Sequence, residues 1–237
     1  MNYARLTNTS KEIADLSRSI LFPDFYGDYT KSEAEKVSRL RELLCPELLT
    51  ADKADEFIGK LPDIRQSLKT DVVAAYNGDP AANSYEEVIC CYPIIKVLMN
   101  YRVAHELLVM GVALVPRMLT EMTHSETGID IHPGAQIGDY FTIDHGTGVV
   151  IGETSIIGNN VKLYQGVTLG AKSFPLDPDG NPIKGIPRHP ILEDDVIVYS
   201  NSSILGRITI GRGAVIGGNV WVTQDVPAGA KIIQYRK

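Results

Sequence analysis

Ile151-Gly152-Glu153-Thr154-Ser155-Ile156-Ile157-Gly158-Asn159-Asn160-Val161-Lys162-Leu163-Tyr164-Gln165-Gly166-Val167-Thr168-Leu169-Gly170 carries an aliphatic residue at every sixth position: Ile151, Ile157, Leu163 and Leu169. Backwards, the same step meets Ile143, Ile137 and Ile131 once two residues, Val149 and Val150, are skipped. Forwards, after an interruption, it resumes at Leu192 and runs through Val198, Ile204, Ile210, Ile216 and Val222. Glycine often follows directly, as at Gly138, Gly152, Gly158, Gly170, Gly211 and Gly217. Small or β-branched residues recur four places after the aliphatic, as at Ala135, Ser155 and Val167. Alternating strands have period two and do not generate a period of six. A unit of one short strand and one turn does. Three units close a triangular coil of about eighteen residues, and stacked coils bury the aliphatic column. Residues 126–237 are therefore read as a parallel β-helix domain. Its interruption at 171–190, with Pro175, Pro178, Gly180, Pro182, Gly185 and Pro187, is read as an extended loop leaving the coil.

Upstream the period changes to that of helices, which predicts an α-helical N-terminal domain over 1–125 and an α+β chain overall. Val37, Leu40, Leu43 and Leu44 form one stripe behind Ser32, a predicted N-cap with Glu35 completing a capping box. Thr50 or Asp52 starts another helix, and Pro62 is expected to divide it from a helix over 64–76 that ends at Asn77-Gly78. Further helices are predicted over 85–100 and 102–123, the latter broken near Gly111 and Pro116.

Composition narrows the function. The 237 residues are 44% hydrophobic and 22% charged, with no apolar run near the ~20 residues of a membrane span and no signal core after Met1. The expectation is a cytoplasmic protein with no membrane partner. A net charge of −6 without a basic stripe argues against a nucleic acid partner. The three cysteines, Cys45 and the adjacent Cys90 and Cys91, lack metal-ligand spacing; the adjacent pair reads as helix packing, and no metal is expected.

Chemistry is sought where the repeat is irregular. His145, in Ile143-Asp144-His145-Gly146-Thr147-Gly148, stands immediately before the two-residue skip. An imidazole titrates near neutrality and can serve as a general base. Asp130 precedes it by fifteen residues, close to one coil, so stacking can bring a carboxylate to the ring; Asp144 is the alternative, although an extended neighbour points to the opposite face. The long loop ends in Arg188-His189-Pro190, an arginine suited to grip a carboxylate and a histidine able to add a second contact.

A six-residue repeat of this type resembles the hexapeptide acyltransferases. That resemblance implies a left-handed β-helix and trimers with acyl-CoA sites between neighbouring subunits. Asp130-Ile131-His132-Pro133, Asp144-His145-Gly146-Thr147-Gly148, Val150-Ile151-Gly152-Glu153-Thr154, Gln165-Gly166-Val167-Thr168-Leu169-Gly170 and Arg188-His189-Pro190 follow in order, with Asp79-Pro80-Ala81 upstream. Together they resemble the serine O-acetyltransferase family over residues 79–226. The resemblance implies acetyl transfer from acetyl-CoA, the co-substrate, to the hydroxyl of L-serine, giving O-acetyl-L-serine for cysteine biosynthesis. It makes His145 the general base and Asp130 its orienting partner. Asp79 and Asp144 would meet the amino group of serine, Arg188 and His189 its carboxylate, and Glu153 is a neighbouring site residue. Gly170, Ala171 and Ser200 would accommodate the pantetheine arm. Homotrimers, alone or paired, are implied.

Three features depart from the family. Tyr199-Ser200-Asn201-Ser202 replaces a glycine-alanine run, the loop after Gly170 is longer than in many members, and the chain ends in Gln234-Tyr235-Arg236-Lys237 rather than in a tail closing on isoleucine. The last predicts no stable complex with O-acetylserine sulfhydrylase through the C-terminus. Competing readings are another small acceptor (homoserine, a sugar, an antibiotic), a γ-class carbonic anhydrase using His132, His145 and His189, and a non-catalytic solenoid. Paired acids with a basic pair favour a zwitterionic amino acid.

Overall fold

The computed structural model describes residues 3–45 and 47–234. Tyr235, Arg236 and Lys237, on which the expectation about the sulfhydrylase rests, lie outside the described residues. Helices α1 (Tyr3–Leu21), α2 (Pro23–Tyr26), α3 (Glu33–Leu44), α4 (Ala51–Gly78), α5 (Tyr85–Cys91), α6 (Pro93–Val109) and α7 (Val115–Thr127) precede short parallel strands running from Asp130–Ile131 to Lys231–Ile232. Among the described residues no helix is long and apolar enough to cross a membrane.

The predicted capping box is present at α3: Ser32 Oγ accepts from the Glu35 amide at 3.3 Å, and Glu35 Oε2 accepts from the Ser32 amide at 2.8 Å. Two expectations about the helices are corrected. Pro62 does not divide a helix but lies inside α4, which is continuous over 28 residues. The ring is on the exposed side, and Phe57, Leu61, Ile64 and Leu68 on either side of it are buried in one core. Tertiary packing of that stripe outweighs the lost hydrogen bond. Pro93, in contrast, splits the helix expected over 85–100. Tyr92 before it is extended (φ −83, ψ 120), as the proline ring demands of its predecessor, and Pro93 opens α6. Cys90 and Cys91 are exposed and free, so they are not packing residues; Val88 and Ile89 are the buried side chains of α5.

The solenoid follows the count of six. Ile131, Ile151, Leu169, Ile204 and Val222 pair in register down one sheet. Ile137, Ile157, Leu192 and Ile210 do so in the second, and Ile143, Leu163, Val198, Ile216 and Ile232 in the third. The loop leaves after Gly170 and returns at Ile191 without shifting that register.

The first coil has no coil before it, so its backbone groups need partners from elsewhere. The helical domain supplies them. Tyr101 donates its hydroxyl to Ala135 O at 2.6 Å, and Arg102 Nη2 donates to Gly138 O at 2.8 Å. The amides of Tyr140 and Phe141 donate to Thr70 Oγ1 and Asp71 Oδ1, each at 3.0 Å. Asp71 is wholly buried and takes a two-pronged bond from Arg102, 2.8 Å from Nε and 3.0 Å from Nη2. Burial pushes the Asp71 carboxyl up to about 6 against the pull of that guanidinium, which leaves it ionised at neutral pH. This joint sets where the far end of α4 meets the solenoid, and the candidate site begins there.

Candidate active site

Asp79 caps the C-terminal end of α4 in an extended conformation (φ −122). Its Oδ2 accepts the Tyr92 hydroxyl and its Oδ1 the Ala81 amide, the latter at 2.8 Å. Those two bonds, the tyrosine's first, hold its carboxyl below the usual carboxylate range, and the same contact pushes the Tyr92 hydroxyl up to about 12. Across from it, Asp144 ends the third strand of the first coil. Lys162, one coil on, places Nζ 3.2 Å from Asp144 Oδ2 and 2.6 Å from the carbonyl of Gly78.

His145 turns the corner after Asp144 with φ +59, a left-handed conformation uncommon for a residue with a side chain. Gly146 (φ +95) and Gly148 (φ +78) carry the turn onward, and the two extra residues of the repeat are absorbed there. The imidazole is largely open, 75% exposed, with Nε2 3.9 Å from Asp144 Oδ1. The rule that strand neighbours face opposite ways fails at this corner because His145 is not extended. Asp130, expected beside the ring, is instead 3.6 Å from Arg117 Nη1. Among the described residues the carboxylate against His145 is Asp144.

A second cluster occupies the next corner of the prism. Thr154 organises it: Oγ1 accepts the amides of Arg188 at 2.9 Å and His189 at 3.1 Å, and the Thr154 amide donates to His189 Nδ1 at 3.0 Å. Arg207 Nη1 holds the same foot of the loop through Thr154 O and His189 O. Burial, then the charge of Arg188, brings His189 down to about 4, so the ring is neutral. With Nδ1 accepting, its proton sits on Nε2, where it can be donated to a ligand. Arg188 Nη2 lies 2.7 Å from Glu153 Oε2, so Glu153 holds the guanidinium in place. The ring of His189 packs against Gly152, where an added Cβ would come within 2.1 Å of Cδ2.

Gly170 closes the strand Thr168–Gly170, Ala171 opens the long loop, and Ser200 follows Tyr199 at a corner. Tyr199 stacks on Tyr164 of the preceding coil, centroids 4.9 Å apart at 13°. Of the three histidines that a γ-class carbonic anhydrase would bring together, His145 stands in the first cluster and His189 in the second, and His132 Nδ1 accepts the Gly134 amide at 3.0 Å.

The residue types at Asp79, Asp144, His145, Arg188 and His189 were legible in the sequence. Tyr92, Lys162, Thr154, Arg117 and Arg207 were not singled out. Lys162 fills the outward position before an aliphatic station, where a solvated side chain is the default, and only the end of α4 makes it a site residue. Thr154 alone carried a signal, standing next to Glu153 inside a quoted motif.

The bacterial transferase hexapeptide family (six repeats) matches residues 189–224. A plasmid serine acetyltransferase of Synechococcus elongatus is 58% identical over 178 residues, 75% of this chain and 56% of that protein. The chain thus spans little more than half the length of that relative. The serine acetyltransferase of Bacillus licheniformis is 45% identical over 166 residues, 70% of this chain and 73% of its own. Among solved structures, Entamoeba histolytica serine acetyltransferase 1 in complex with L-cysteine superposes with a TM-score of 0.86 at 38% identity, over 94% of this chain and 86% of that one.

Proposed function

The chain belongs to the serine acetyltransferase family, and on that footing we propose that it moves the acetyl group of acetyl-CoA to the hydroxyl of L-serine, releasing coenzyme A and O-acetyl-L-serine for cysteine biosynthesis. The observation that carries the reading is the open His145 imidazole, at a strained corner, with a carboxylate at its side. His145 takes the serine hydroxyl proton as the oxygen attacks the thioester carbonyl. The carbon–sulfur bond then breaks, and His145 returns the proton to the departing thiolate, so the ring ends as it began. Asp79 and Asp144 receive the ammonium group of serine. Arg188 and the Nε2–H of His189 receive its carboxylate, Arg188 exchanging Glu153 for the substrate.

Among the described residues no hydrogen bond or ion pair joins the two clusters within one chain. We therefore read the site as completed between neighbouring subunits of a homotrimer, with Asp79, Asp144 and His145 from one and Arg188 and His189 from the next. Gly170, Ala171 and Ser200 remain the proposed wall for the pantetheine arm. Asp130 remains the proposed orienting partner of His145; in that role it exchanges Arg117 for the imidazole when substrate is present.

A free-thiol release assay tests the reading with L-serine, homoserine and a sugar as acceptors. L-Serine should be preferred, and His145→Ala should cost about 10²–10⁴-fold in turnover. Near wild-type turnover in that variant would remove His145 from the mechanism. Asp130→Asn and Asp144→Asn tell the two carboxylates apart: the one that orients the ring lowers kcat, while one that only binds the ammonium raises the KM for serine.

A further inference from the structure

Among the described residues, Lys162 is the ammonium that touches both segments bearing the proposed acid pair. Asp79 arrives at the end of a helix and Asp144 at the end of a β-strand, from different layers of the fold. The Asp71–Arg102 joint docks α4 on the first coil eight residues upstream, but neither element by itself ties Asp79 to Asp144. Lys162 does: its Nζ donates to Gly78 O at 2.6 Å, one residue before Asp79, and sits 3.2 Å from Asp144 Oδ2. It is held there from a third side by the face of Tyr164, 4.6 Å from the ring centroid, and Tyr164 is itself backed by Tyr199. The side chain is only 16% exposed. A lysine serving as a solubilising surface charge would extend into water rather than fold back onto a carbonyl, a carboxylate and a ring.

We propose that Lys162 is a positioning residue for the acceptor's amino group: it clamps the Gly78–Asp79 turn against Asp144, fixes the spacing of the two carboxylates, and leaves Asp144 Oδ1 free on the side of His145. The proposal rests on the reading of Asp79 and Asp144 as the ammonium subsite. It also gives a purpose to the Tyr164–Tyr199 stack. The two rings back the lysine that holds the acids apart. One positive charge between two negative ones also leaves the subsite a single net negative charge, matched to one ammonium group.

The test is steady-state kinetics of Lys162→Met and Lys162→Arg, with both substrates varied, alongside Asp79→Asn and the double variant Asp79→Asn/Lys162→Met. In Lys162→Met the KM for serine should rise about 10-fold, the loss of one charged hydrogen bond's worth of alignment, with kcat changed less than about 3-fold and the KM for acetyl-CoA unmoved. Lys162→Arg, able to reach the same carbonyl and carboxylate, should recover most of that loss. In the Asp79→Asn background the effect of Lys162→Met should largely vanish, because the clamp then holds a residue that no longer binds the ammonium. Overturning results are a parallel rise in both KM values, an Arg variant no better than Met, or full additivity with Asp79→Asn. If Lys162→Met does not fold, the Arg variant decides alone: a serine KM raised as much as kcat falls would refute positioning. A wild-type enzyme that ignores L-serine would instead sink the assignment of function, and that outcome is read before any variant is made.

Discussion

Replacing Asp71 with Asn tests whether the helical domain and the solenoid act as one unit. The variant keeps size and one acceptor for the Phe141 amide, but it removes the charge that balances Arg102, a guanidinium only 10% exposed. Two carbonyls of the first coil, Ile137 O and Gly138 O, would remain as its partners. Removing one member of a buried pair typically costs about 3–5 kcal/mol because the other charge stays buried. For a chain of this size each kcal/mol shifts Tm by about 2–4 °C, so the melting point should fall by roughly 6–20 °C. Removing both charges, as Asp71→Leu/Arg102→Met, should cost clearly less than the two single changes added together. Thermal and urea unfolding at one fixed protomer concentration measure this, since association shifts Tm by mass action. The kinetic corollary follows from geometry. Asp79 is eight residues beyond Asp71 on the same helix, about 12 Å along its axis, so a loosened joint should raise the KM for serine more than that for acetyl-CoA. A loss under about 1 kcal/mol in Asp71→Asn, or singles that simply add, would refute the idea that this pair locks the two layers together.

Three other outcomes are expected. Arg188→Ala should raise the KM for serine by roughly 10–100-fold through loss of charged hydrogen bonds, with kcat less affected; an unchanged KM would move the carboxylate subsite elsewhere. Gly152→Ala forces a methyl into the His189 ring, and a displacement of that size should cost on the order of 10²-fold in kcat/KM for serine, measured beside a His189→Ala control that it should resemble. For pH, His189 and His132 both bind protons less readily folded than unfolded, each chiefly through burial. The His189 contribution to stability is therefore complete above about pH 6.5 and is lost as pH falls from there toward about 4, and His132 acts in the same direction. Melting temperatures taken at about pH 7 and about pH 5 should differ more in the wild type than in His189→Gln, and an equal drop in both would rule this out for His189.

The solenoid was legible because its rule is local and repeated. Every sixth residue meets the same neighbour one coil away, so the aliphatic stations and the exit at Gly170 could be read without coordinates. Arg188 and His189 were legible because they stand where the repeat resumes. The helical domain was less so: Pro62 obeys the packing of Phe57, Leu61 and Ile64, which propensity does not record, whereas Pro93 obeys its local sterics. The surroundings of His145 were only half legible, for a backbone reason. An extended residue would face away from Asp144, whereas the positive φ of His145 turns the ring back toward it. Lys162 and Tyr92 were invisible because their partners, Gly78 and Asp79, reach them only after α4 has docked.

The excursion between Gly170 and Ile191 separates what the protein grips from how the gripping residues are held. Arg188 and His189 are anchored at its foot, by Thr154 and Arg207 of the flanking coils, and not by the span from Lys172 to Gly185. Natural or engineered drift in that span can thus lengthen, shorten or recompose the loop while the Arg188–His189 pair stays put. Under the proposed function, that makes the loop a segment that can diverge without redesigning recognition of the amino acid.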